Sequence, residues 1–116
     1  MTENKEKLMV ECAVNAILSK MGKDVKSLNV GEVTSITDYF VLATGNSASQ
    51  IDAMVDGVEE AMKNGGYELK TREGRSQGGW VLLDYNYIVV HLFSAEMREF
   101  YALDHTWRDV ESVDYE

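Results

Sequence analysis

Tyr39-Phe40-Val41-Leu42-Ala43-Thr44 is a nearly continuous apolar run, bounded by Asp38 on one side and Gly45 on the other. A run without polar alternation describes a central strand covered on both faces. A helix follows at once. Ser47-Ala48-Ser49-Gln50 fits a capping box, in which the serine and glutamine side chains satisfy orphan amides at a helix start. Ile51, Met54, Val55, Val58 and Met62 then recur at helical spacing and share one face, until Asn64-Gly65-Gly66 ends the segment. Strand, cap and amphipathic helix in this order place the chain in the α/β (α+β) class.

The remaining segments are read by the same rules. Leu8, Cys12, Ala13, Ala16, Ile17 and Met21 predict a first helix over Asn4 to Met21, with Gly22 as its stop. A short extended piece is expected around Leu28-Asn29-Val30, then the connection Val33 to Asp38. Tyr67 to Arg72 alternates as a strand does, and Glu73 to Gly79 reads as a polar, glycine-rich loop. Trp80 to Asp84 and Tyr87 to Phe93 predict two strands joined tightly at Tyr85-Asn86. Ser94 is placed to cap a last helix running to about Leu103. The expected architecture is a mixed five-stranded sheet packed with helices, one domain over residues 1–108, with a loose acidic tail over 109–116.

Charge and composition narrow the function. Twenty acidic residues oppose eleven basic ones, a net charge of −9. Nonspecific nucleic-acid binding requires cationic surface to displace counterions, so little direct RNA contact is expected. The negative charge either serves solubility alone or suits docking on a basic protein. No apolar run approaches the length of about 18 residues that a membrane span needs. The N-terminus lacks the apolar core of a secretory signal, so the expected location is the cytoplasm. Cys12 is the only cysteine, which rules out an internal disulfide and a thiolate-based zinc site. No cofactor is implied.

The two strands flanking Tyr85-Asn86 make the most informative hairpin. Side chains alternate across a strand, so a two-residue connection puts Val81 and Leu83 on one face with Ile88, Val90 and Leu92. That wholly aliphatic face belongs against helices. Trp80, Leu82 and Asp84 then share the other face with Tyr87, Val89, His91 and Phe93. Aromatic and apolar groups beside a few fixed polar ones describe a protein interface. The competing arrangement covers both faces with helices and pairs Asp84 with His91 inside.

Catalytic readings fare worse. His91 with Asp84 behind it has the makings of a general base, but no serine or cysteine is tied to it. Gly45-Asn46-Ser47, after a strand and opening a helix, offers amides to an anion, yet the same residues serve plain turn and cap chemistry. A strand–glycine–serine–helix opening also suits a nucleotidyltransferase, which needs clustered carboxylates for magnesium. Asp84-Tyr85-Asn86 supplies no such pair, and Asp52 with Asp56 has the spacing of a solvated helix face. Lys70, Arg72 and Arg75 are too few to argue for RNA. The chain is not expected to be an enzyme.

Five stretches together, Ser35-Ile36-Thr37-Asp38-Tyr39-Phe40-Val41, Gly45-Asn46-Ser47, Gly79 to Tyr85, Ile88 to Phe93 and Arg98 to Leu103, carry a resemblance. In this order and spacing, and over nearly the whole length to Trp107, the chain resembles the bacterial ribosomal silencing factor family, also called Iojap-like. The resemblance implies a nucleotidyltransferase-like fold without catalytic carboxylates. It implies binding to the large ribosomal subunit through its fourteenth ribosomal protein and steric exclusion of the small subunit, which represses translation under nutrient limitation. Self-association as a homodimer is also implied.

By this similarity Trp80, Asp84 and His91 are partner-binding candidates, joined by Leu82 and Tyr85 as expected hairpin neighbours. Tyr101 and Leu103, near the end of the last helix, complete the set. The chain departs from the family at Ser49, where an arginine is usual, and at Asn86-Tyr87, where Gly-Asp or a close variant is usual. Leu103-Asp104-His105-Thr106-Trp107 also replaces the commoner Leu-Glu-x-Leu-Trp.

Overall fold

A computed structural model describes the backbone of residues 3–115 and the side chains from Lys5 to Tyr115; Met1, Thr2 and Glu116 lie outside the described residues. Helix α1 covers Glu3–Ser19, strand β1 Lys23–Leu28, and β2 Tyr39–Gly45. Helix α2 (Ala48–Asn64) precedes β3 (Thr71–Arg75), β4 (Trp80–Asp84) and β5 (Ile88–Ser94). Short helices α3 (Ala95–Tyr101) and α4 (Leu103–Thr106) then lead to a last strand, β6 (Ser112–Asp114).

The strands form one mixed sheet of six, in the order β3-β4-β5-β2-β1-β6. Only β2 and β5 pair in parallel, and every other neighbour is antiparallel. The apolar run that predicts a central strand lies between β5 and β1, and Val41 to Gly45 are all buried. Helices α1 and α2 pack on one face. There Val14, Ile17, Met54 and Val58 meet Val41, Val90 and Leu92 in the main core. Each fully buried aliphatic side chain of this kind contributes on the order of 2 kcal/mol.

Helix α2 starts where the capping pattern places it. Ser47 Oγ accepts the Gln50 amide N–H at 3.1 Å. The return bond is displaced by one residue: Gln50 Oε1 accepts the Asn46 N–H, 2.6 Å away, instead of that of Ser47. Gln50 Nε2 meanwhile donates to the carbonyls of Lys20 and Met21 at 3.2 and 2.8 Å. One side chain thus seals the start of α2 and the frayed end of α1 together.

Four sequence expectations are corrected. The extended piece comes earlier, as β1, while Val30–Glu32 forms a 3-10 turn. Tyr67 to Lys70 is not a strand; the strand is Thr71–Arg75, which shares Thr71 and Arg72 with the expected one and runs on into the stretch expected to be a loop, and all five of its residues are exposed. The last helix breaks at Ala102, whose φ of 53° is left-handed, giving α3 and α4. The expected loose tail instead supplies β6, paired with β1 from Lys26↔Asp114 to Leu28↔Ser112, so the sheet has six strands and not five.

Candidate functional site

Val81, Leu83, Ile88, Val90 and Leu92 all lie in the main core, as parity across the hairpin requires. Tyr85 N–H bonds to the Ile88 carbonyl at 2.9 Å, so the two-residue connection is Asn86-Tyr87, one residue later than the expected Tyr85-Asn86, and the faces are unchanged. Asp84 Oδ1 accepts the Asn86 amide at 2.7 Å, an Asx turn that supports Asn86 at a φ of 79°. Register then lines up three rungs on the face away from α1 and α2. They are Thr71–Asp84–Val89–Phe40, Glu73–Leu82–His91–Leu42 and Arg75–Trp80–Phe93–Thr44.

This face is half covered. Met97 of α3, Leu103 of α4 and the following Trp107 and Val110 pack on Leu28, Val30, Leu42 and Phe93 as a second core. The covering is held by Arg98, whose guanidinium meets Asp104 through two bonds of 3.1 and 2.9 Å and Thr44 Oγ1 at 3.0 Å. The Arg98 bonds hold the Asp104 carboxyl below its usual range, with Arg98 and Lys26 charges adding to the effect against partial desolvation. Toward β3 and β4 the face opens: Trp80, Leu82 and Asp84 are each half-buried.

The candidates separate accordingly. Trp80, Leu82, Asp84 and His91 share the face, and Tyr101 leans on Trp80 with ring centroids 5.2 Å apart. Tyr101 remains 41% exposed, and neighbouring Phe100 is 73% exposed. Leu103 lies under the covering, half-buried in the second core. Tyr85 does not join them. It points to the opposite face, 3% exposed in the main core, because odd-numbered residues of this strand face α1 and α2. Burial, then the nearby Glu59 and Cys12, pushes its phenol up to about 12.

His91 is 5% exposed and forms the centre of an aromatic cluster. Its Nδ1 accepts the Trp80 indole N–H at 3.3 Å, with the two ring planes 10° apart. Phe40 packs edge-on at 4.8 Å and Phe93 lies nearly parallel at 5.9 Å. Desolvation pushes the imidazole down to about 4, so the ring is neutral near pH 7. Sequence reasoning missed Phe40 and Trp107, whose rings meet edge to face at 5.5 Å. Alternation within β2 gives the face of Phe40, but only the parallel β2–β5 register places it beside Val89.

The elements of a catalytic reading lie apart. Asp84 aligns with Val89 and Phe40 at one end of the strands, while Gly45 aligns with Ser94 at the other. Five residues of strand separate them, roughly 16 Å. Asp84 is engaged in its turn, and the Asn46 and Gln50 amides are already bonded within the α2 cap. Among the described residues no group of three or more His, Cys, Asp or Glu is placed to hold a metal. Arg72 of the small basic cluster is paired with Glu59 at 3.3 Å. No helix of the described residues is long and apolar enough to cross a membrane.

These features define an α/β protein whose mixed sheet presents a half-open aromatic face. Comparison with known proteins gives the family. Residues 2–116 match the family model described as "Ribosomal silencing factor during starvation", and the chain belongs to that family. It is 34% identical to the ribosomal silencing factor RsfS of Halalkalibacterium halodurans over 93% of this chain and 92% of that one. A crystal structure of a protein from Chromobacterium violaceum superposes with a TM-score of 0.84 at 29% identity, over 88% of this chain and 85% of that one. A mouse relative named for mitochondrial assembly of the large ribosomal subunit is 29% identical over 87% of this chain, which spans 46% of that longer protein.

Proposed function

We propose that this protein is a ribosomal silencing factor, a non-enzymatic regulator that docks on the large ribosomal subunit and sterically blocks joining of the small one. Its contact is the fourteenth protein of the large subunit, and its effect is to repress translation when nutrients are scarce. Family membership supports the reading, as does the large-subunit assembly role in the mouse relative's name. The observation that carries it is the half-open face, where a half-buried tryptophan and leucine lie beside the Asp84 carboxylate. Large aromatic anchors with a few polar neighbours are what binding hot spots are made of.

In this reading Trp80, Leu82, Asp84 and Tyr101 touch the partner. His91 and Leu103 support them from beneath, and Tyr85 steadies the hairpin from the main core. The net charge of −9 speeds encounter with a basic ribosomal protein. The protein works in the cytoplasm and self-associates as a homodimer when free. Co-sedimentation of the purified protein with large subunits tests the proposal. Trp80→Ala should weaken binding by about 2 kcal/mol or more. A folded Trp80→Ala protein that sediments as the unchanged chain does would remove Trp80 from the interface.

A further inference from the structure

Resting on that docking role, we propose that His91 is a positioning residue for Trp80, turning the polar edge of the indole inward so that the partner meets only apolar ring. A neutral imidazole has one N–H and one bare nitrogen, and the bond made by one nitrogen decides which is which. Because His91 Nδ1 accepts the indole N–H, its own proton sits on Nε2. That Nε2 is buried and has no hydrogen-bond partner. Leaving a buried donor unsatisfied is costly, and the indole bond to Nδ1 offsets part of that cost.

The surroundings fix the pair further. Phe40 blocks the ring edge-on, and Phe93 and Trp80 lie within 13° of parallel to one another. Tyr101 closes over Trp80 from α3. The indole N–H is therefore spent inside the protein. A partner that recognises Trp80 does so with an apolar pocket and not with a hydrogen-bond acceptor. Phenylalanine at position 80 would retain much of that surface.

Two measurements on the intact chain test this. The first is nitrogen-15 NMR of the free protein at neutral pH, which reads the His91 tautomer whether or not any ribosome binds. A proton on Nε2 with Nδ1 bare is the expected result, and a proton on Nδ1 overturns the proposal. The second is binding to purified large subunits. Trp80→Phe should stay within about threefold of the unchanged chain, whereas Trp80→Ala loses about thirtyfold or more. His91→Phe should lose about tenfold, because the indole loses its acceptor. His91→Asn should recover most of that loss, since its amide oxygen can take the indole N–H. Equal binding by His91→Phe and the unchanged chain, or a tenfold loss in Trp80→Phe alone, overturns it. If the unchanged chain does not bind large subunits, the docking role fails, and the NMR result still decides how Trp80 is held.

Discussion

Acid should destabilise this protein well before its carboxylates are protonated, and the excess should disappear when His91 is replaced by phenylalanine. His91 titrates near 6.5 in an unfolded chain and near 4 in the folded one, because burial disfavours its charged form. Between those values the unfolded state binds more protons, so stability falls as pH falls. The contribution is complete above about pH 6.5 and is lost as pH drops toward 4. At pH 4.5 the linkage relation gives a loss on the order of 2–3 kcal/mol from this one group. Against a total stability of about 5–15 kcal/mol, that is readily measured. Urea titrations of both proteins near pH 7.5 and 4.5 supply the comparison. The other titrating groups are common to both, Asp104 included, so their contribution cancels in the difference. Curves for His91→Phe and the unchanged chain that fall in parallel, within about 0.5 kcal/mol, would refute the buried, neutral histidine.

Three further substitutions probe the frame that holds the face. A Cβ on Gly45 would lie 2.9 Å from both Ile51 Cγ1 and Met54 Cε, so Gly45→Ala should cost about 1–3 kcal/mol in urea unfolding. Ser47→Ala removes the acceptor for the Gln50 amide and should cost about 1 kcal/mol by the same measure. Arg98→Ala removes the tie between α3, α4 and Thr44, and hydrogen exchange should quicken in α4 while the β4–β5 amides stay protected. Uniform quickening throughout the sheet would contradict the local role given to Arg98.

Elements whose burial has a simple period were legible in the sequence. Helix α2 shows its apolar stripe and cap, and the β4–β5 hairpin shows alternation that fixes its two faces. Strand β3 was not legible, because all its side chains are exposed and an edge strand with no buried face leaves no hydrophobic signature. Strand β6 is short, polar and paired only with distant β1. The face of Tyr85 was legible and misread, since parity alone sends it to the core with Val81 and Leu83. The half-covering of the aromatic face was beyond local reading. It depends on Leu103, Trp107 and Val110 meeting Leu28 and Leu42 from far along the chain.

The last strand closes contacts across most of the chain. Ser27 and Tyr115, joined by their hydroxyls at 3.0 Å, are 88 residues apart, and the β6–β1 pairing beside them closes over a similar span. Loops of that length are the slow, late events of folding. The covering of the aromatic face lies between α3 and β6 and packs back on Leu28, Val30 and Leu42. During synthesis the hairpin carrying Trp80 emerges before the segment that braces it. Its bracing waits on contacts of long sequence separation, between Leu28 and Val30 and the residues from Leu103 to Val110.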